Sequence, residues 1–224
     1  HERQRVLAAL RKFKAEYKHM RVPQEYTCAS DGDAYYPLGG RVAHIRSGRR
    51  PTGTADAPTP FRHELDALGF VWDIEKHDQQ RVLATLRAFK AEHGHVCVPQ
   101  RYTCFSDGDA DFRLGTRVNT IRSGRAPTGT VDDPTPYRVS LDALGFIWNA
   151  EEHERQRVLA ALRDFKAEQK HMRVPQKYTC FSDGNSNFPL GQRVRGIRSG
   201  VTFTGTAATP TPYRIALDAL GFVW

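Results

Sequence analysis

Apolar residues at the start of the chain recur at the spacing of one face of an α-helix. This stripe predicts a helix over about residues 4–19. Its members are Val6, Leu7, Leu10, Phe13 and Tyr17. A shorter stripe predicts a second helix over 38–47, with Leu38, Val42 and Ile45 on its apolar face. A third helix is predicted over 60–69, because Thr59 suits an N-cap and Pro60 suits the first helical position.

The whole pattern returns twice. Val6, Val82 and Val158 occupy equivalent positions, so the period is 76 residues. Residues 1–72 and 153–224 are identical at 53 of 72 positions without a gap. Such self-similarity indicates a tandem array. We therefore predict three repeats: 1–72, 73–148 and 149–224. In the second and third repeats we expect Asp73 and Asn149 to cap the first helix.

The segments between the predicted helices read as loops. No segment alternates apolar and polar residues over more than four positions, and residues 30–33 and 49–58 are rich in turn-forming types. We therefore predict an all-α fold of three tandem three-helix units. Each unit ends in a tryptophan that we expect to lie in the core, against the first and third helices. These residues are Trp72, Trp148 and Trp224.

Four short motifs follow one another along each unit, the second of them complete only in the middle unit. They are L-x-x-[FY]-K, E-H-G-x-V-x-V-P, L-G-x-x-V-x-x-x-R and L-x-x-L-G-F-x-W. The middle unit carries the second motif over residues 92–99, and the others keep only Val22-Pro23 and Val174-Pro175 of it. This series resembles the helicase-associated domain, a family of small, basic three-helix repeats. The resemblance covers essentially the whole chain and implies a nucleic-acid role.

Charge points to a polyanionic partner. Lys and Arg number 33 against 25 Asp and Glu, which gives a net charge of +8 and a pI near 9.5. No apolar run approaches the ~20 residues that span a bilayer, so no membrane partner is expected. The four cysteines form no C-x-x-C pair, which favours an intracellular, reducing setting. We interpret the chain as an excised piece of a longer protein, for which the nucleus is the favoured compartment.

Catalytic and metal-binding motifs are missing from the sequence. It contains no P-loop, no H-E-x-x-H and no G-x-S-x-G, so we predict no catalytic residue, no enzyme activity, no cofactor and no small-molecule substrate. The run Asp107-x-Asp109-x-Asp111 is similar to a calcium loop, but Phe112 and Val118 stand where that loop needs Gly and Glu. We predict Asx turns here, as at the equivalent Asp31 and Asp183, and no metal site.

Two groups of cations are candidate phosphate contacts. The first lies along one edge of the first helix of each repeat, beside its apolar stripe. Its members are Arg11, Lys14 and Lys18; Arg87 and Lys90; and Arg163, Lys166 and Lys170. The second group lies on the second helix and just after it. Its members are Arg41, Arg46, Arg49 and Arg50; Arg117, Arg122 and Arg125; and Arg193, Arg195 and Arg198. Arginine suits bidentate contact with phosphate or guanine.

The favoured function is a non-enzymatic, nucleic-acid-binding repeat array that contacts phosphates through these cations. Duplex DNA is preferred over RNA, because three-helix units are similar to helix-turn-helix modules. Most aromatic residues fit the core pattern, so few are expected to stack on single strands; Tyr35 and Tyr36 are the exception. If the second helix is the contact surface, Arg46, Arg122 and Arg198 are expected to face solvent. The alternative is a helical-repeat scaffold for a protein partner, since the repeats differ at Ala43/Asn119/Arg195 and at two further surface positions.

Overall fold

The computed structural model describes residues 1–30, 32–182 and 185–224. Each repeat contains three helices and one two-stranded antiparallel hairpin. The prediction of an all-α fold is therefore wrong, whereas the arrangement of three similar repeats fits. The chain divides into two compact units, His1–Thr85 with Thr103–Leu114, and Leu86–Tyr102 with Gly115–Trp224.

The elements follow one another in the same order in every repeat. The first repeat holds α1 (Glu2–Tyr17), β1 (Cys28–Ser30), β2 (Asp33–Tyr36), α2 (Leu38–Arg46) and α3 (Pro60–Ala67). The second holds α4 (Ile74–His93), β3 (Cys104–Ser106), β4 (Asp109–Phe112), α5 (Leu114–Arg122) and α6 (Pro136–Ala143). The third holds α7 (Ala150–Gln169), β5 (Cys180–Ser182), β6 (Asn185–Phe188), α8 (Leu190–Arg198) and α9 (Pro212–Ala219).

The helices begin where their capping residues place them. The Thr59 hydroxyl accepts a hydrogen bond from the Arg62 N–H at 3.3 Å, and Pro60 opens α3. Thr135 and Thr211 cap α6 and α9 in the same way. The side chains of Asp73 and Asn149 accept from the third backbone N–H after them, both at 2.9 Å. These predicted caps are confirmed, and each satisfies a backbone donor that a helix leaves open.

The first helix ends on a residue in the left-handed region. Lys18 and Lys170 follow α1 and α7 with φ of 61°, and each N–H donates to the carbonyl four residues earlier. The equivalent residue after α4 is Gly94, with φ of 77°. Glycine adopts this conformation at no steric cost, whereas a lysine is strained there. The helix therefore ends two residues earlier than the stripe predicted in the first repeat.

The hairpin was missed because its strands have only three and four residues. Cys28 pairs with Tyr36 and Ser30 with Asp33, so one residue on β1 lies opposite two on β2. This bulge removes the alternation that marks a strand in a sequence. The Asx turn predicted at Asp109 is confirmed, since its carboxylate accepts the Asp111 N–H at 3.1 Å. The predicted turns at Asp31 and Asp183 lie outside the described residues.

An arginine of the first helix anchors each hairpin. Arg5 donates to the Ser30 carbonyl at 2.9 Å, and its guanidinium lies 4.3 Å from the centre of the Tyr36 ring. Arg81 makes the same contacts with Ser106 and Phe112, at 2.9 and 4.3 Å, and only 5% of it is exposed. Arg157 does so with Ser182 and Phe188. The inner face of each hairpin is thereby fixed to the helix by a hydrogen bond and a cation–π contact.

The helical stripes form the cores. In the first repeat the buried cluster joins the stripe of α1 to those of α2 and α3. It includes Val6, Leu7, Leu10, Phe13, Leu38, Val42, Ile45, Phe61, Leu65 and Phe70. The equivalent residues form the cluster of the third repeat. Tyr17 was expected in the core but is exposed, and its ring stacks on Phe13.

The tryptophans lie at the edge of the core rather than within it, and Trp72 packs against the buried cluster of its repeat. Trp72 and Trp148 are half-buried, and 42% of Trp224 is exposed, so the prediction of a buried indole is wrong. Each indole N–H donates to the aspartate six residues earlier, as from Trp72 to Asp66 at 2.6 Å. An arginine of the third helix covers the ring, at 3.7–3.9 Å from its centre. The indole lies at the surface because its polar end needs an acceptor.

Two adjacent glycines of α2 give a test of how tightly the repeat is built. A Cβ on Gly39 would overlap the carbonyl oxygens of Pro23 and Gln24, whereas a Cβ on Gly40 would meet nothing within 4 Å. We expect Gly39→Ala to lower the free energy of unfolding by about 3 kcal/mol or more, because backbone atoms must move. Gly40→Ala should raise it by about 1 kcal/mol, because alanine favours the helix.

Urea denaturation of the two variants, followed by circular dichroism, measures both effects. Each variant adds one methyl group to the same helical turn. A difference in the sign of the stability change therefore cannot come from composition. Equal midpoints for the two variants would contradict the close approach of α2 to the Pro23–Gln24 backbone.

Candidate nucleic-acid interface

The lysines of the first helix contact the end of the third helix. The Lys14 ammonium donates to the Leu68 carbonyl at 2.7 Å. Lys90 and Lys166 do the same with Leu144 and Leu220, at 2.9 and 2.8 Å. A helix leaves its last carbonyls without intrahelical donors, and a cation there also complements the helix dipole. The lysines in this part of the predicted strip therefore have a structural role, although they stay exposed.

The arginines of the second helix contact the chain just beyond the same point. Arg46 Nε donates to the Val71 carbonyl at 2.8 Å, and the guanidinium lies 5.3 Å from the centre of the Phe70 ring. Arg122 and Arg198 make the equivalent bonds at 2.7 and 2.8 Å. Burial lowers the pKa of Arg46 to about 10 and also lowers that of Arg122. The expectation that Arg46 and Arg122 face solvent is wrong, because both are half-buried; Arg198 is exposed.

Several other candidate cations are paired within their own repeat. Glu2 forms ion pairs with Arg41 and Arg50, at 3.3 and 3.5 Å. Its equivalent, Glu154, pairs with Arg193 at 2.8 Å. Arg11 lies 3.9 Å from Glu64, and Lys18 and Lys170 bond back to the carbonyls of Ala15 and Ala167. Arg117 is exposed. A phosphate would have to compete with these internal partners.

Five of the predicted cations are exposed and make no hydrogen bond or ion pair through their side chains with any other residue that the structure describes. They are Arg49, Arg87, Arg125, Arg163 and Arg195. Arg87 and Arg163 are equivalent residues of the first helix, and Arg49 and Arg125 directly follow the second helix. The third repeat has Val201 at that last position, and its exposed Arg195 lies within α8. These five form the accessible cationic set.

One exposed aromatic ring stands on each hairpin, and the sequence reasoning missed those of the second and third repeats. Tyr35 is 80% exposed, Phe105 72% and Phe181 70%. The rings occupy two different positions of the repeat, since Tyr35 lies on β2 while the phenylalanines lie on β3 and β5. Of the two aromatics expected outside the core, Tyr35 is exposed but Tyr36 is buried. The sequence contains a signal for these rings. In every repeat one of the two positions holds an aromatic residue, and the other holds Ala29, Asp111 or Asn187.

An open cleft lies between the start of the first helix, the segment after the second helix and the start of the third. In the first repeat it encloses about 380 Å³ between Arg3, Arg50, Pro51 and Phe61. In the third repeat it encloses about 390 Å³ and is more apolar, because Val201 and Phe203 line it. Here 84% of Val201 and 74% of Phe203 are exposed. The same place in the fold thus differs in chemistry between repeats.

The described residues show no cluster of three or more metal-ligating side chains and no helix long and apolar enough to cross a membrane. Burial raises the pKa of the thiols of Cys28, Cys104 and Cys180, which disfavours the reactive thiolate. All three are half-buried and reduced. They pack as small apolar side chains.

Sequence comparison supplies the family. The model of the helicase associated domain matches residues 3–73, 77–149 and 153–224, once in each repeat and over nearly the whole chain. The chain belongs to the helicase-associated domain family. Neither a curated protein nor a solved structure matches it. The three helicase-associated repeats form an accessory module of the kind that accompanies helicases.

At the ends of α2 and α5, Arg46 and Arg122 are bonded to backbone carbonyls, whereas Arg49 and Arg125 are exposed. Substitutions should show that only the bonded pair contributes to stability. We expect Arg46→Gln with Arg122→Gln to lower the free energy of unfolding by about 1–3 kcal/mol per residue, because a partly buried carbonyl loses its donor. Arg49→Gln with Arg125→Gln removes the same charge from the same two helix ends. It should change stability by less than about 0.5 kcal/mol.

The measurement is urea denaturation of both double variants beside the wild type. Similar losses in the two would show that the bonds to Val71 and Ile147 add nothing specific to the fold.

Proposed function

We propose that the chain is a non-enzymatic helicase-associated module that binds nucleic acid by contacting phosphates through arginines and lysines of the first and second helices. The observation that carries the proposal is the accessible cationic set, five arginines without an internal partner in the described part of the chain. A guanidinium that is already free loses no bond when it meets a phosphate. It can also donate two parallel hydrogen bonds to one phosphate.

The anchored cations contribute less in this proposal. Arg46 would have to leave the Val71 carbonyl and the Phe70 ring, and Arg193 would have to leave Glu154. Lys14 is intermediate, because its ammonium has three donors and the Leu68 carbonyl takes one of them. Binding energy is therefore expected to concentrate in the accessible cationic set. The anchored lysines add longer-range attraction from the edge of the first helix.

Duplex DNA is the partner that we favour, with DNA preferred over RNA. Support comes from the net charge of +8 and from helices that present arginine, which makes bidentate contacts with phosphate and with guanine. Phosphate contacts position a protein without reading bases. The proposal therefore includes no sequence preference.

Salt dependence tests the phosphate contacts. A protein that neutralises duplex phosphates releases counterions, so the logarithm of the affinity falls linearly with the logarithm of salt concentration, with a slope of about −0.9 per phosphate. We expect Arg49→Gln with Arg125→Gln and Arg195→Gln to weaken duplex binding and to flatten the slope by about 2 to 3. Fluorescence anisotropy with a labelled duplex over a range of salt measures both.

A matched control removes the same charge elsewhere. Arg101, Arg113 and Lys177 are exposed and lie outside the first and second helices, and their side chains have no partner among the described residues. Their triple Gln variant should keep the wild-type slope. Equal flattening in both variants would show that only net charge matters, and a wild type that binds no nucleic acid would reject the proposal altogether.

A second candidate function is protein docking, and one observation favours it. The cleft of the third repeat is lined by the exposed Val201 and Phe203, where the first repeat has Arg49 and Pro51. Exposed apolar side chains around a cleft are typical of protein interfaces. The third repeat would then bind a protein while the other repeats bind nucleic acid.

Val201→Arg distinguishes the two candidates for this position, because it restores the arginine of the other repeats. If the position after the second helix contacts phosphate, the variant should bind duplex DNA more tightly, and its salt slope should steepen by about 0.9. Val131→Arg adds the same charge at another exposed valine, 78% exposed, and serves as the control. Identical salt slopes for the two variants would favour a protein-docking role for the third repeat.

A further inference from the structure

The two outward positions of each hairpin share one property across the repeats. The register places residue 29 of β1 opposite the pair 34–35 of β2, so positions 29 and 35 are cross-strand neighbours on the exposed side. In the first repeat they hold Ala29 and Tyr35; in the second, Phe105 and Asp111; in the third, Phe181 and Asn187. Each hairpin thus has one ring on its outer face, although the position of the ring changes.

We infer that these rings, Tyr35, Phe105 and Phe181, are stacking platforms for unpaired bases, so that the module binds single-stranded nucleic acid through its hairpins. This inference rests on the proposed nucleic-acid binding and adds a class of contact to it. Bases of any sequence offer a flat π-face, and aromatic side chains stack on them in many single-strand-binding proteins. A base inside a duplex does not expose that face.

Each hairpin that carries a ring is held on its inner side by an arginine of the first helix. Residue 30 of the first hairpin is bonded to Arg5 at 2.9 Å, and the neighbouring Tyr36 packs under the same guanidinium. Arg81 and Arg157 hold the other two hairpins in the same way. The strand that carries each ring is fixed before a ligand arrives. Ordering the platform therefore adds little to the entropy cost of binding.

Three carboxylates of the first two hairpins are paired with cations, whereas Asp111, beside Phe105, is exposed and forms no ion pair with any residue that the structure describes. Asp33 lies 3.4 Å from Arg5, and Asp109 lies 3.4 Å from Arg81. Asp107 lies 3.4 Å from Arg21 and 3.6 Å from the His77 ring. The third repeat has asparagine at positions 185 and 187, where the second has aspartate. Repulsion of a phosphate backbone is thereby reduced around Tyr35 and Phe181, whereas Asp111 leaves one negative charge beside Phe105.

The occupant is nucleic acid rather than protein on two grounds. Among the hairpin residues that the structure describes, the large exposed apolar side chain is a single ring beside Ala29, Asp111 or Asn187, without the contiguous apolar patch that a protein interface needs. The chain also carries eight more positive than negative charges. An isolated planar ring on a basic protein fits one base better than it fits a protein surface.

The experiment compares a labelled oligo(dT) strand with an abasic strand of the same length, which has the phosphates but no bases. We expect the wild type to bind oligo(dT) more tightly than the abasic strand. The variant Tyr35→Ala with Phe105→Ala and Phe181→Ala should lose about tenfold or more in affinity for oligo(dT). Its affinity for the abasic strand and for duplex DNA should stay at the wild-type value.

Two further variants control for folding and for general loss of apolar surface. Tyr35→Phe with Phe105→Tyr and Phe181→Tyr keeps every ring and should keep the preference for oligo(dT). Val131→Ala with Phe203→Ala and Ile215→Ala removes three exposed apolar side chains outside the hairpins and should also keep it. A hairpin variant that binds oligo(dT) as well as the wild type overturns the stacking inference but leaves phosphate binding intact. An equal loss on oligo(dT), abasic strand and duplex also overturns it, whereas a wild type that binds none of the three overturns the proposed function itself.

Discussion

The repeats depend on cations that satisfy carbonyls at the end of a very short helix. The third helix has eight residues, so half of its carbonyls belong to its last turn and have no donor within the helix. Lys14 and Arg46 reach this point from two other helices and bond to the carbonyls of Leu68 and Val71. The same two bonds recur in each repeat. They join the three helices at one place in a unit whose apolar core is small for its surface.

The sequence could predict the parts of the fold that depend on local residues, but not those that depend on distant contacts. The helices and their caps were predictable, because the apolar spacing and residues such as Thr59 and Asn149 act locally. The hairpin was not, since its bulged strands contain no alternation and its stability comes from Arg5 and its equivalents, twenty-five or more residues away in the chain. The tryptophans were misplaced because apolar character was read as burial. An aspartate six residues before each of them, and an arginine ten residues before, repeat three times and would have indicated a surface position.

The candidate interface was predictable only as a set of residue types. A helical wheel shows that Lys14 flanks the apolar stripe, but it does not show that the open end of another helix lies within reach. Likewise, the position of Arg46 next to the buried Ile45 on α2 does not show that the Val71 carbonyl lies within its reach. Arg49 and Arg125 follow the helix, stay exposed, and make no bond to the carbonyls that anchor Arg46 and Arg122. Tertiary contact therefore divides one run of arginines into structural and available members.

The surface position of the tryptophans has a practical consequence. Each indole is bounded by a phenylalanine ring, a guanidinium and a carboxylate, at the segment where the bonds from the first and second helices converge. Its fluorescence therefore reports on this junction at the edge of the apolar core. Trp72 and Trp148 are less exposed than Trp224, so a soluble quencher should reach the last indole first. The chain thus contains its own optical probe for the opening of a repeat, at the place where its helices are joined.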